Sequence, residues 1–184
     1  MEKNIAAIRQ TYSQKELLEK DVAPHPIHQF EQWWNDAVNA EISEVNAMTL
    51  ATAAADGMPS ARIVLLKDFS EQGFSFFKNY ESYKGRQLAE NPKACLVFFW
   101  KELERQTRIT GLVQQLPATD SDVYFYSRPI ESQAGAITSP QSRVIESREW
   151  LHHQYQSISE QVKKSGSKRP AHWGGYIVKP LIIE

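Results

Sequence analysis

From residue 47 onward the chain is cut into short apolar runs of strand length, each closed by a turn signal, and this punctuation constrains the fold more than any other feature. Residues 48–55 and 60–67 flank Asp56-Gly57, a pair that closes hairpins when apolar runs stand on both sides. Residues 73–78, 93–100 and 106–115 read as three more strands, and residues 176–183, after Trp173-Gly174-Gly175, as a last one. Helices bracket them. Residues 4–20 are polar and helix-prone, and Pro24 and Pro26 end that segment. Ile27, Phe30, Trp33, Trp34, Ala37, Val38 and Ile42 then form a stripe at helical spacing. Ser82 can cap a short helix ending before Asn91-Pro92, Thr119 opens another that Pro129 stops, and residues 142–163 predict a longer one. Residues 163–170 are a basic, Ser/Gly-bearing loop. Short strands with helices grouped at the ends predict a mainly β, α+β chain: a small antiparallel barrel with flanking helices. It is expected as one domain over 1–184, with helical residues 1–45, a barrel core over 46–116, helices over 117–165 and a closing strand over 173–183.

Composition excludes several functions. With 41% hydrophobic residues, 23% charged residues and a net charge of −1, the 184 residues suit a folded soluble domain and not a disordered one. The small net charge also argues against a nucleic-acid binder, and no run approaches the length of a membrane span. The N-terminus has no apolar signal core, so a cytoplasmic location is expected. A single cysteine, Cys95, excludes an internal disulfide and is expected to be buried and structural. The five histidines show no zinc-type spacing, so no metal is expected. Dinucleotide, P-loop and G-x-S-x-G motifs are absent, which leaves redox chemistry only through an organic cofactor.

The charge is unevenly spread. Residues 1–58 carry 4 basic and 9 acidic side chains, residues 59–111 carry 9 and 6. The middle of the chain is therefore where an anionic small molecule is expected. Tyr124, Arg128 and Ser132 recur at i, i+4, i+8 and can converge on one phosphate, even across a break at Pro129. Arg62 and Lys67 stand an odd number of residues apart, so on one strand they face opposite sides and serve two anions, unless one is solvated. Gln106, Arg108 and Thr110 give the strand over 106–115 one polar face that can line a site.

Five stretches together carry a resemblance. They are A-R-I-V-L-L-K (61–67), N-P-x-A-x-L-x-F-x-W with L-E-R-Q (91–106), Y-F-Y-S-R-P-x-x-S-Q-x-G-A (124–136), S-P-Q-S-R-V-I (139–145) and W-G-G-Y (173–176). In this order and spacing they resemble the pyridoxamine 5′-phosphate oxidase family. The resemblance implies an FMN-binding split barrel working as a homodimer, with FMN at the subunit interface and pyridoxamine or pyridoxine 5′-phosphate as the small-molecule ligand. It implies that Arg62, Ile63, Val64, Leu65, Leu66 and Lys67 border the flavin. It further implies FMN contacts from Phe77, Lys78, Lys84, Gln106, Gln141, Ser142 and Trp173. Lys67, Tyr124, Arg128 and Ser132 match the substrate-phosphate clamp, and Arg9 and Tyr12 an N-terminal segment that folds over the substrate.

Two departures qualify those expectations. The family's Ser-Arg-Lys grip on the FMN phosphate reads Ser82-Tyr83-Lys84 here, and its Tyr-Thr-Asn reads Phe77-Lys78-Asn79. Lys78 and Arg86 are the two candidates to replace the missing charge. Losing one charged phosphate contact costs about 1.5–3 kcal/mol, so weaker FMN binding is expected. The sequence also ends at Leu181-Ile182-Ile183-Glu184, where the family pattern continues through F-W-Q-G and R-L-H-D-R. The expected function is FMN-dependent oxidation of pyridoxamine or pyridoxine 5′-phosphate to pyridoxal 5′-phosphate with O2, slowed by the lack of those motifs. The alternatives are an FMN oxidoreductase of different substrate, or a non-catalytic FMN- or pyridoxal-phosphate-binding protein.

Overall fold

The computed structural model describes Ala7, Thr11, Ser13 and residues 16–184. Most of the helix-prone segment over 4–20, with Arg9 and Tyr12, lies outside the described residues. The elements run α1 (Pro26–Asn39), β1 (Ala47–Ala53), β2 (Pro59–Leu65), β3 (Asp68–Ser70), β4 (Gly73–Asn79), α2 (Tyr83–Glu90), β5 (Lys93–Trp100), β6 (Arg105–Gln115), α3 (Ala118–Ser127), α4 (Ile130–Thr138), α5 (Arg148–Ser165) and β7 (Trp173–Ile183). The seven strands form one antiparallel sheet in the order β2-β1-β5-β6-β7-β4-β3, curled into a split barrel. Among the described residues no helix is long and apolar enough to cross a membrane.

Alternation builds the barrel. On β5, Ala94, Leu96, Phe98 and Trp100 point inward and are buried, while Lys93 and Phe99 face out. The same inward set includes Met48 and Leu50 of β1, Val64 of β2, Phe74 and Phe76 of β4, and Ile109 of β6. Cys95 sits on the outward set and is half-buried, contrary to the buried position expected, because its neighbours Ala94 and Leu96 hold the inward register.

Helix α1 plugs one end. Pro26 starts it, and His25 Nδ1 accepts a hydrogen bond from Ile27 N at 3.3 Å. Phe30 is 2% exposed, with its ring 4.9 Å from Phe74 and 5.0 Å from both Phe69 and Phe98. Asp36 pairs with Arg105 at 2.7 Å and Arg105 lies 4.9 Å over Trp33, tying the helix to β6. Val38, at the edge of the predicted stripe, is exposed, and Ile42 falls beyond the helix end.

Other boundaries moved for local reasons. Ser142 has φ 65°, and Ser147, extended, caps α5 by accepting from Trp150 N. The long helix therefore begins at Arg148 rather than at 142. Pro129 breaks the predicted helix as expected, and it also opens α4, which the sequence reading missed. The loop after α5 is clasped: Arg169 bonds Asp122 Oδ1 and Trp173 O, each at 2.6 Å.

Candidate functional site

Two cavities open side by side where β2, β4, α2 and the α3–α4 junction meet. The larger, of about 580 Å³, is lined by Lys67, Phe77, Lys78, Tyr124, Arg128 and Trp173, among others. Its wall is a stack: Phe77 lies 4.0 Å from Tyr124, and Trp173 is near parallel to both at 5.7 and 6.2 Å between ring centres. Arg128 lies 4.7 Å over Trp173.

The break at Pro129 creates this arrangement. A residue before proline is driven to extended backbone, and Arg128 has ψ 152°. Its side chain turns back so that Nη2 donates to Ser132 O at 2.8 Å, while Gln133 Nε2 donates to Arg128 O at 2.7 Å. Arg128 Nη1 is buried without a hydrogen-bond partner. A buried donor left so is costly unless a ligand accepts from it. Burial holds the guanidinium below its ordinary pKa. Lys67 Nζ lies 6.0 Å from the centre of the Tyr124 ring. Tyr124, Arg128 and Ser132 thus line one cavity, as their spacing predicts, and Lys67 lines it with them, as the resemblance implies.

The smaller cavity, of about 360 Å³, is lined by Arg62, Ile63, Lys78, Tyr83, Lys84, Gln141 and Ser142. Ser82 caps α2 by accepting from Gly85 N at 3.3 Å, and the same Oγ accepts from Lys84 Nζ at 3.2 Å. Lys84 is only 6% exposed and also donates to Gln141 Oε1 at 3.3 Å. Burial, then the nearby charges of Lys78 and Arg62, pull its pKa down to about 8. Arg62 is fixed by Thr52 Oγ1 at 2.6 Å, Ser60 Oγ at 2.5 Å and Leu50 O at 3.2 Å. Gln87 Oε1 in turn accepts from Thr52 and Ser60, both at 2.7 Å. This supporting network escaped the sequence reading, because a buried Gln on a short helix carries no periodic signal.

The other predicted residues divide cleanly. Leu65 lines the larger cavity. Val64 and Leu66 are core residues, 1% and 4% exposed, and line neither cavity. Gln106 is exposed on the outer face of β6, opposite Phe99, away from both cavities within one chain. Trp173 joins the larger cavity with the clamp, rather than the smaller one with Lys84. Of the two candidate replacement charges, Lys78 lines the smaller cavity, whereas Arg86 is exposed and donates to Glu81 O at 2.6 Å.

Neither cavity is lined by an Asp or Glu. Among the described residues, Arg62, Lys67, Lys78, Lys84 and Arg128 form no ion pair within 4.0 Å. Five cations without a counter-charge suit anionic ligands, and the buried lysine, forked guanidinium and hydroxyls of the smaller cavity fit a phosphate monoester such as that of FMN. Apart from these, His25, His28 and Glu71 bring three potential metal-ligand atoms within 4.8 Å of one another, a cluster invisible to spacing because Glu71 comes from the β3–β4 turn. All three are exposed at the positive end of α1, where a cation is disfavoured.

Comparisons with known proteins agree with this geometry. A family model described as pyridoxamine 5′-phosphate oxidase matches residues 34–161. A pyridoxine/pyridoxamine 5′-phosphate oxidase of Nostoc sp. strain PCC 7120 is 52% identical over 184 residues, which cover all of this chain and 86% of the relative. One from Salinibacter ruber is 51% identical over 181 residues, covering 98% and 84%. Among solved structures, PhzG from Burkholderia lata 383, in complex with tetrahydrophenazine-1-carboxylic acid, superposes with a TM-score of 0.86 at 27% identity, over 92% of this chain and 84% of PhzG. A pyridoxamine 5′-phosphate oxidase-related, FMN-binding protein from Nostoc punctiforme shares the fold at a TM-score of 0.67 and 14% identity, over 88% of this chain and 84% of the other. The chain belongs to the pyridoxamine 5′-phosphate oxidase family.

Proposed function

We infer that the chain is an FMN-dependent oxidase that converts pyridoxamine or pyridoxine 5′-phosphate to pyridoxal 5′-phosphate. The observation that carries this reading is the convergence of Lys67, Tyr124, Arg128 and Ser132 on one cavity, with a buried Arg128 Nη1 that has no partner. FMN, when bound, would supply the hydride-accepting chemistry, with O2 as the final acceptor. The protein's part is binding and orientation. Arg128 and Lys67 neutralise the substrate phosphate, and the hydroxyls of Tyr124 and Ser132 complete its hydrogen bonds. The Phe77–Tyr124–Trp173 stack gives that cavity an apolar wall beside the clamp. Arg62, Lys78, Lys84 and Ser142 hold the cofactor's phosphate in the smaller cavity.

A homodimer completes the proposal. Ile63, Phe99, Leu112 and Ile182 share the outer face of the sheet by register and are 62%, 57%, 41% and 55% exposed. Ile63 also lines the smaller cavity, so a second copy seated on this face borders the cofactor pocket, and Gln106, next to Phe99, reaches it from across the interface.

The test is the visible spectrum of the FMN-loaded protein before and after anaerobic addition of pyridoxamine 5′-phosphate. Bleaching of the flavin band is expected. A band that stays oxidised overturns the reading for this substrate. The likeness to PhzG favours a second reading, a bulkier reduced aromatic carboxylic acid as substrate, and bleaching by such an acid but not by the pyridoxamine phosphate would establish it.

A further inference from the structure

Lys78 and Gln141 are the two side chains that line both cavities, so they form the partition between them. Gln141 is engaged through Oε1 with Lys84. Lys78 is half-buried near the end of β4, where its backbone pairs with Gly174 of β7, and its ammonium group has neither a hydrogen bond nor an ion pair to any described residue. Four cations line the cavities on either side of it: Arg62 from β2, Lys67 from the turn after it, Lys84 from α2 and Arg128 from the α3–α4 junction, while β7 and the segment after α4 contribute only neutral side chains, Trp173, Gln141 and Ser142 among them. Their electrostatic reach is explicit. Burial first, then Lys67 and Arg128, lowers the Lys78 pKa, while Lys78 and Arg62 contribute to the lowering of Lys84. The ammonium group therefore feels the charges of the larger cavity and acts on those of the smaller one.

We propose that Lys78 is a counter-ion shared by two phosphate-bearing ligands, one in each cavity, and that it screens their mutual repulsion so that both can be bound together. The proposal deepens the functional reading above and rests on its assignment of a phosphate to each cavity. Two phosphate groups held in adjoining, partly desolvated cavities repel each other, and a positive charge on the partition offsets that repulsion for both at once. The arginine fork of the smaller cavity cannot do this. Arg62 is pinned to Thr52, Ser60 and Leu50 and lines that cavity alone. Lys84 and Arg128 are likewise confined to one cavity each. A lysine suits the partition because its flexible stem lets one ammonium address either side.

The experiment is a set of binding titrations in wild type, Lys78→Met, Lys78→Arg and Lys84→Met. FMN binding is followed by quenching of its fluorescence, with and without saturating pyridoxal 5′-phosphate; riboflavin and pyridoxal serve as ligands lacking the phosphate. Lys78→Met is expected to weaken FMN and pyridoxal 5′-phosphate each by about tenfold or more and to leave riboflavin and pyridoxal unchanged. It should also make the pair antagonistic, so that pyridoxal 5′-phosphate weakens FMN binding several-fold more than in wild type. Lys84→Met should weaken FMN alone, and Lys78→Arg should keep most of both affinities. The proposal is overturned if Lys78→Met affects one phosphate only, if riboflavin suffers as much as FMN, or if the coupling between the ligands matches wild type. Should Lys78→Met fail to fold, Lys78→Gln is read by the same coupling ratio. Because binding is measured and not turnover, a wild type that binds FMN and pyridoxal 5′-phosphate but whose flavin is not bleached by pyridoxamine 5′-phosphate overturns the oxidase reading and leaves this one standing. A wild type that binds neither overturns both.

Discussion

Arg128 shows most directly how one residue's setting becomes a prediction. Its fork is spent partly on Ser132 O and partly over the Trp173 ring, while the side chain lines the larger cavity and its buried Nη1 has no hydrogen-bond partner. Arg128→Ala removes a charge-assisted contact of about 1.5–3 kcal/mol, so KM for a phosphorylated substrate should rise roughly 10- to 150-fold. Arg128→Lys should recover only part of that, since an ammonium cannot hold the carbonyl and the ring while donating to the ligand. An unchanged KM in both variants would remove Arg128 from the clamp. Lys84 gives a pH signature. Its ordinary pKa of 10.5 is held at about 8 in the folded chain, so its charge is lost as pH rises through 8. FMN affinity should therefore fall above pH 8 while riboflavin affinity stays flat, and Lys84→Met should abolish the slope. The linkage for folding has the opposite sign. Between pH 8 and 10.5 the unfolded chain keeps a proton that the folded chain has lost, so this lysine's burial destabilises the ligand-free protein below pH 8, and the penalty fades as pH rises. The Tm difference between Lys84→Met and wild type, followed across that window without ligand, measures it and should shrink with rising pH.

At the scale of the element, α2 decides whether the smaller cavity exists. Gly85 packs so closely under the β4–α2 connection that an added Cβ would stand 2.0 Å from Tyr80 O. Gly85→Ala should gain about 1 kcal/mol in helix propensity and lose more to the clash with rigid backbone, for a net destabilisation on the order of 1–2 kcal/mol. The shifted helix would carry Lys84 with it, so FMN affinity should fall while the larger cavity keeps its phosphate affinity; urea melts and separate titrations of the two ligands check this. The same helix shows what the sequence made legible. Ser82 as a cap and a stop before Asn91-Pro92 follow from local chemistry, and both stand in the structure. The i, i+4, i+8 run of Tyr124, Arg128 and Ser132 likewise predicted a convergence that the proline break produced. What stayed hidden were contacts between distant segments: Thr52 and Ser60 holding Gln87, and Lys78 rather than Arg86 turning into the cavity. Strand alternation predicts only a side of the sheet, not which neighbour waits there. The three-residue β3 was too short to stand out from its flanks, and α4 follows directly on the proline that ends α3 and has no capping side chain to announce it.

For the whole molecule, the exposed outer face is the feature to test. Phe99→Asp, at a position 57% exposed, leaves the barrel core alone and places a charge at the centre of the proposed contact between copies. Sedimentation should then show a monomer where wild type shows a dimer, with FMN affinity reduced alongside; a monomeric wild type, or an unchanged dimer, would refute the assignment of that face. The strand order has a consequence for how the protein is made. β7 lies between β6 and β4, so it is the seam that joins β2-β1-β5-β6 to β4-β3, and it is also the source of Trp173. Six strands leave the ribosome before the seventh can unite them. A nascent chain halted short of residue 173 already carries both lysines of the partition and the cofactor grip, Lys78 on β4 and Lys84 on α2, but its strands form two sheet fragments with no shared edge. The larger cavity, whose aromatic wall needs Trp173, is therefore completed only when β7 closes that seam.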